Sequence, residues 1–231
     1  MDKVVYAGYI NKYIKMGGFK MRVLVICDDY WHPGSVVKDG LKPLEDSGME
    51  FVYVEDMRDF ELNTIKEYPV VILSKSNNIS SSNTEKWATE EAQKVFDSYV
   101  SNGGGLLAIH SGTAGYGEAG IIRDILGGVF THHPEQCPVM VEAKGEHAIT
   151  QGFTPFNLKD EHYFMEIDDN DKIHVFLTST SEHGTQPAGW TKEYGTGRVC
   201  VLTPGHNLEV WLDKGFQVLL KNAINWCIEK E

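Results

Sequence analysis

The segment that most constrains the fold lies near the middle of the chain, where three glycines lead into a short apolar run. Residues 103–113 read GGGLLAIHSGT. Four apolar residues are too few for a helix, and an uninterrupted apolar run is typical of a parallel strand buried on both faces. The Ser111-Gly112 pair after His110 is typical of a sharp turn that holds one side chain above the end of a sheet. The sequence therefore predicts an α/β fold with His110 at such an elbow.

Strand-like runs alternate with helical periodicity around this elbow. Predicted strands cover residues 22–27, 51–54, 70–73 and 106–109, and predicted helices cover residues 35–47, 83–101 and 121–126. This alternation predicts a doubly wound, mostly parallel sheet with helices on both faces. Further strand-like runs follow at residues 139–141, 174–178 and 198–203, before a C-terminal amphipathic helix at 213–229. We predict a single domain over residues 21–231, preceded by an N-terminal extension of residues 1–20.

Composition excludes several classes of partner. The 231-residue chain has a formal net charge of −12, and a phosphate-binding surface needs the opposite sign. Its four cysteines form no CxxC pair, which favours free thiols in a reducing compartment over a disulfide framework. No apolar run approaches the length of a membrane span. We therefore expect a cytoplasmic protein that binds neither nucleic acid nor membrane.

Polar residues cluster where the predicted strands end. Asp28 begins a polar run after the first strand, and Trp31 and His32 follow it closely. His110 follows the elbow strand, and His206 comes shortly after the last strand. Open α/β sheets bind ligands outside the carboxyl ends of their strands. If these strands are parallel, their tips share one rim and bring the imidazoles together.

Two further segments carry imidazoles or acids. One places His132 and His133 before a proline, and we expect one of the two rings to face solvent while the other packs or binds. The other is Asp160-Glu161-His162-Tyr163. If it is extended, alternation places Asp160 and His162 on one face, and Glu161 and Tyr163 on the other. The remaining histidines are expected to have surface or structural roles; they are His147, His174 and His183.

Several of these phrases, in the same order, resemble the trehalose-utilisation (ThuA-like) family of the class I glutamine-amidotransferase-like superfamily. They are GGGLLAIHSGT, LGGVFTHHP, HAITQGF, DEHYFM and PAGWTKEYGTGRVCVLTPGHN. The resemblance covers residue 21 to the C-terminus and implies a flavodoxin-like three-layer sandwich. It also implies a role in the catabolism of trehalose and related disaccharides, on 3-keto sugars made by a partner sugar dehydrogenase.

The resemblance also suggests roles for individual residues. His110 matches the elbow position where amidotransferases hold their cysteine. His133 matches the histidine of the family's HP motif, Glu161 its acidic DE position, and His206 its closing GH motif. The turn after the first strand departs from the Gly-rich turn common in the family, so the role of His32 stays open.

The residue types at these positions limit the chemistry. Amide transfer needs a thiolate nucleophile, and no cysteine stands at the elbow. A serine elbow requires glycine two positions before and two positions after the serine, but Ile109 and Thr113 stand at those positions around Ser111. What remains is imidazole and carboxylate, which suit general acid–base catalysis or, equally, a divalent metal such as zinc. We assign catalysis to His110, His133, Glu161 and His206; metal binding, if any, to His110, His133 and His206; and substrate contacts to Asp28, Trp31, His32, Ser111 and Tyr163.

The sequence thus favours an enzyme of sugar catabolism, a lyase, hydrolase or isomerase acting on an oxidised (3-keto) disaccharide or glycoside. The alternative is a non-catalytic saccharide- or metal-binding module on the same fold, and residual amidase activity is a third hypothesis. Expected partners are a small saccharide, a sugar dehydrogenase that supplies it, and further copies of the same chain in a homo-oligomer.

Overall fold

A nine-stranded sheet forms the centre of the computed structural model, which describes residues 20–168 and 172–229. The strand order is β2-β1-β3-β4-β11-β10-β9-β6-β7. The first five strands in this order are mutually parallel, and the remaining pairs are antiparallel. Strands β5 and β8 form a separate antiparallel pair. The strands are β1 (Met21–Cys27), β2 (Met49–Val54), β3 (Val70–Ser74), β4 (Gly105–Ile109), β5 (Gly128–His132), β6 (Cys137–Ala143), β7 (Phe156–Asp160), β8 (Phe164–Ile167), β9 (His174–Ser181), β10 (Gly184–Tyr194) and β11 (Gly197–Leu202).

Helices cover both faces of this sheet, which confirms the predicted three-layer α/β architecture. They are α1 (Gly34–Leu41), α2 (Glu90–Ser101), α3 (Gly120–Leu126), α4 (Leu208–Trp211) and α5 (Lys214–Ile228). Alternate residues of β1 point to opposite faces. Val23 packs in one apolar core with Leu41 of α1 and Phe216 of α5, whereas Leu24 packs in the other with Phe96 of α2. None of the helices in the described ranges is long and apolar enough to cross a bilayer.

The first half of the chain follows the predicted pattern except at two helix boundaries. The helix predicted from residue 83 begins only at Glu90, where the Thr89 side chain accepts a hydrogen bond from the Ala92 amide. The preceding residues form a loop because Asn77 accepts a hydrogen bond from the Ala88 amide. The helix predicted over residues 35–47 is α1 followed by a 3₁₀ helix, Lys42–Ser47.

The second half contains more strands than the sequence predicted. Strand β10 has eleven residues, yet it includes Gly184, Pro187 and Gly189, which mask a strand pattern. Its register shifts at Pro187 and Gly189. The predicted N-terminal extension falls almost wholly outside the described residues, of which the first is Lys20.

Candidate functional site

Four parallel neighbours, β1, β3, β4 and β11, bring their carboxyl ends to one edge of the sheet. Three histidines that follow these strands meet there. The ring centroids of His32 and His110 lie 4.9 Å apart, those of His32 and His206 5.1 Å, and those of His110 and His206 5.5 Å. The expected common rim is therefore present, and residues separated by up to 174 positions share it.

His110 stands on a strained turn directly after β4. Its φ angle is +49°, a left-handed conformation that costs a non-glycine residue roughly 1–3 kcal/mol. Gly112 makes the turn possible, because a Cβ there would lie 1.9 Å from the carbonyl oxygen of Leu73 in β3. The His110 ring is 1% exposed, stacks on Tyr163 at 4.0 Å, and donates from Nδ1 to the Thr203 carbonyl at 2.9 Å. Its Nε2 is thereby directed into the site.

His32 is held by a buried aspartate that precedes it by three residues. Asp29 Oδ1 lies 2.8 Å from His32 Nδ1 and accepts the amides of Trp31 and His32. Its other oxygen accepts the Ser76 amide at 2.8 Å. Asp29 thus belongs to the candidate site, and its i, i+3 spacing from His32 is the one signal in the sequence that could have pointed to it.

Glu161 lies at the centre of the histidines. Its carboxylate oxygens are 3.1 Å from His206 Nδ1, 3.3 Å from His110 Nε2, 3.5 Å from His133 Nε2 and 3.9 Å from His32 Nε2. Burial acts to raise the pKa of Glu161, but the contacts with His110, His206 and His32 outweigh it and hold the pKa far below its usual range. Glu161 is therefore a carboxylate at any working pH.

The residue before Glu161 fixes the His206 loop. Asp160 is fully buried at the end of β7 and accepts the amides of Gly205 at 2.8 Å, His206 at 3.0 Å and Asn207 at 3.4 Å. One strand end thus supplies Glu161 and positions His206. Glu161 and Tyr163 contact the cluster histidines with their side chains, whereas the Asp160 carboxylate bonds the main chain of the 205–207 loop and His162 bonds Ser179 and Ser181. The four side chains pair as predicted, although residues 161–163 lie between β7 and β8 and not in a strand.

The pKa values of the two histidines nearest the sheet move in opposite directions. Burial lowers the pKa of His110 below its ordinary value, although the Glu161 carboxylate opposes that effect. Burial also acts to lower the pKa of His32, but its contacts with Asp29 and Glu161 outweigh this and raise it to about 9. Neutral and charged imidazoles therefore stand side by side in the metal-free site.

The other predicted site residues lie at or near this cluster, in different settings. His133 is partly exposed and donates from Nδ1 to its neighbouring Pro134 carbonyl, whereas His132 stacks on Phe164. Asp28 caps α1 by accepting the Gly34 amide, and Trp31 is 70% exposed on the same turn. Ser111 is fully buried, and its hydroxyl has no hydrogen-bond partner among the described residues.

The thiols of the chain do not reach the cluster. All four cysteines are free and buried, in β1, β6, β11 and α5. Burial raises the pKa of Cys27 and of Cys227 to about 12, so neither provides a thiolate near neutral pH. The elbow therefore presents an imidazole where an amidotransferase needs sulfur.

The donor set of the cluster fits a divalent cation. His32, His110, Glu161 and His206 each direct one ligand atom inward, and these atoms lie within 4.8 Å of one another. His110 Nε2 and His206 Nδ1 are buried without a hydrogen-bond partner in the described part of the chain. Imidazole nitrogen and carboxylate oxygen are the ligands of catalytic zinc sites.

A family model for ThuA, described as trehalose utilisation, matches residues 22–227. The chain belongs to this family. The match spans both the elbow and the closing His206 segment, so the resemblance noted in the sequence is confirmed. No curated protein matches this chain.

Solved structures show the same fold at low sequence identity. A putative ThuA-like protein from Bacteroides uniformis is 22% identical with a TM-score of 0.73, over 93% of this chain and 94% of that one. A second, from Parabacteroides merdae, is 19% identical with a TM-score of 0.74, over 90% of each chain. PurLQS from Thermotoga maritima is 17% identical with a TM-score of 0.62, over 90% of this ThuA-family chain and 99% of that protein.

Proposed function

We propose that this ThuA-family protein is an enzyme of sugar catabolism that acts on a disaccharide or glycoside carrying a 3-keto sugar ring. The observation that supports it most is the cluster of three imidazoles around Glu161 at the carboxyl edge of the sheet. The family's description as trehalose utilisation supports a saccharide as the substrate class. A sugar dehydrogenase would supply the keto group.

The chemistry of a 3-keto sugar suits these side chains. The keto group acidifies the neighbouring C–H, so a base can remove that proton and leave an enolate. Expulsion of the glycosidic oxygen from the enolate then breaks the C–O bond, and an acid protonates the departing oxygen. A lyase, a hydrolase and an isomerase share the first proton transfer, so the same imidazoles serve any of the three.

His133 is best placed to exchange a proton with substrate. Its Nδ1 donates to the Pro134 carbonyl, which leaves the Nε2 lone pair 3.5 Å from Glu161. The side chain is 34% exposed, whereas that of His110 is 1% exposed. His133 therefore combines a free base nitrogen with access from solvent. A divalent cation, when bound to the neighbouring donors, would polarise the keto oxygen and stabilise the enolate.

The turn that carries His32 offers a surface for a second sugar ring. Tyr30 and Trp31 are the exposed aromatic residues of this turn, at 54% and 70%, and their rings pack edge to face at 4.7 Å. Aromatic faces bind the apolar side of a sugar ring. Trp190 and Trp211, by contrast, are fully buried in the core and present no face to a sugar.

The direct test is turnover of 3-keto-trehalose, followed by mass spectrometry of the products, with and without added zinc. We expect cleavage or isomerisation by the wild type, loss of it in His133→Ala, and unchanged rates in His183→Ala, which removes an exposed histidine outside the cluster. If the sugar raises the melting temperature but no product forms under either condition, the protein is a binding module instead.

A further inference from the structure

Two histidines of the cluster have their tautomers fixed by hydrogen bonds outside it. His110 Nδ1 lies 2.9 Å from the Thr203 carbonyl, which can only accept, so Nδ1 carries the proton. His32 Nδ1 lies 2.8 Å from the Asp29 carboxylate and carries a proton for the same reason. In a neutral imidazole the other nitrogen then has a lone pair. The Nε2 atom of His110 therefore presents a lone pair to Glu161, and the Nε2 atom of His32 does so once His32 has given up its second proton.

An ionised carboxylate is also only an acceptor, so a neutral His110 makes no hydrogen bond from Nε2 to Glu161. His110 Nε2 lies 3.3 Å from Glu161 and His206 Nδ1 lies 3.1 Å from it, yet both are buried without a hydrogen-bond partner among the described residues. An added proton could bridge one imidazole to Glu161 but not three at once. A cation at the centre can accept a lone pair from each of the three imidazoles and from Glu161 together.

We propose that His32, His110, Glu161 and His206 bind one divalent transition-metal ion, with zinc as the first candidate. Three imidazoles and one carboxylate are ligands that such ions prefer over calcium or magnesium. Four atoms bound tetrahedrally to one ion at about 2.1 Å lie about 3.4 Å apart. The four donor atoms lie within 4.8 Å of one another, so the most widely separated pair needs to close by at most about 1.4 Å.

The same outer contacts of the ligands match those found at metal sites. Metal-bound histidines usually donate their second N–H to a carboxylate or a main-chain carbonyl, which fixes the ring and makes it a better ligand. His32 has Asp29 in this position and His110 has the Thr203 carbonyl. Both supporting contacts come from the strand tips themselves, so the ligand atoms are directed inward before any ion binds.

The assignment changes the ligand set predicted from the sequence, which was His110, His133 and His206. His32 takes the place of His133. The donor atom of His133 is not among the four that lie within 4.8 Å of one another, and its side chain is partly exposed. His133 thus stays outside the coordination sphere and remains available for proton transfer.

Metal titration of the full-length protein tests the proposal without any substrate. The protein is stripped with a chelator, and Zn²⁺ affinity is measured by competition with a chromophoric chelator; Co²⁺ titration reports ligand number through its visible absorption. We expect one ion per chain. His110→Ala and Glu161→Gln should each weaken binding by at least about 100-fold, whereas His133→Ala and the control His183→Ala should stay within about threefold.

Two results would overturn the proposal: no stoichiometric binding by the wild type, or an equal loss in His133→Ala and His110→Ala. The thermal midpoints of the metal-free variants show whether each one is folded. If His110→Ala fails to fold, Glu161→Gln, which keeps the size of the side chain, decides the outcome. Because no sugar is used, this result is separate from the turnover test of the proposed function.

Discussion

At the residue scale, the site depends on the orientation of each imidazole ring and on which of its nitrogens carries the proton. Asp29 is 1% exposed and engages four N–H groups, one of them on the His32 ring. Burial acts to raise the pKa of Asp29, but its contacts with His32 and its main-chain hydrogen bonds lower it well below the usual range. This carboxylate is therefore always charged, and it keeps the proton of His32 on Nδ1.

Replacing Asp29 should loosen His32 without removing it. In Asp29→Asn one oxygen becomes an NH₂ group, which opposes either the Ser76 amide or the His32 Nδ1 proton. We expect zinc affinity to fall about 10- to 100-fold. Asp28→Asn is the matched control, because its Oδ1 can still accept the Gly34 amide and asparagine tolerates the positive φ of 70° at that position. Equal affinities in the two variants would contradict the role of Asp29.

The pKa of His32 gives metal binding a defined pH dependence. In the metal-free protein this pKa is about 9, so below that pH an entering ion must displace a proton from His32. We expect zinc affinity to rise about tenfold per pH unit between about pH 7 and 9, and to level off above it. His32→Ala should bind more weakly and lose this part of the slope. A flat wild-type profile would contradict the assigned ligand.

At the scale of elements, residues directly after β3 form hydrogen bonds to residues at the carboxyl end of β1. Lys75 is fully buried and donates to the main-chain carbonyls of Cys27 at 3.3 Å and Glu55 at 2.9 Å, and also to that of Asp28. The main-chain amide of Ser76, the next residue, donates a hydrogen bond to the Asp29 carboxylate. Burial lowers the pKa of Lys75. Lys75 thus stabilises the strained turn at Asp28, and this turn positions His32 at the site.

Lys75→Met should weaken the site through this turn. We expect a loss of roughly 1–3 kcal/mol in the free energy of unfolding, because buried carbonyls lose their donor, together with weaker zinc binding. Lys192→Met is a suitable control, since Lys192 is 7% exposed and bonds Asp124 at the end of α3, away from the cluster. It should lower the melting temperature and leave zinc affinity unchanged. If both variants bind zinc as the wild type does, Lys75 has only a structural role.

The exposed turn of Tyr30 and Trp31 should affect substrate binding more than chemistry. Trp31→Ala should raise KM for a keto disaccharide about 2- to 10-fold with kcat nearly unchanged. Leu212→Ala removes an exposed apolar side chain elsewhere, 47% exposed after α4, and should leave KM unchanged. Steady-state kinetics with a keto disaccharide distinguish the two. A fall in kcat alone would place Trp31 in a different role.

The sequence predicted the parallel half of the fold and much of the site. The elbow at His110 and the end of β11 could be located because buried parallel strands are continuous apolar runs that stop at polar residues. Strand β10 could not be located, because Gly184, Pro187 and Gly189 interrupt the apolar pattern of a strand. The inclusion of His32 among the donors could not be predicted either. It depends on a side-chain rotation set by Asp29 and on a contact with Glu161 from a strand 129 positions away.

At the scale of the whole molecule, the turn after β4 presents an imidazole and no thiol. In this ThuA-family chain that strained turn carries His110, and antiparallel strands on the far side of β11 bring in Glu161. The parallel half alone supplies three imidazoles. The carboxylate that holds them together comes from the end of β7, so the site needs both halves of the sheet.

The central claim is that these distant segments converge to bind one divalent ion. Crystals of zinc-loaded protein, with diffraction data on both sides of the zinc absorption edge, test it most directly. We expect one anomalous peak per chain, about 2.0–2.2 Å from His32 Nε2, His110 Nε2, His206 Nδ1 and a Glu161 oxygen. A peak bound through His133 instead of His32, or no peak among these side chains, would contradict it.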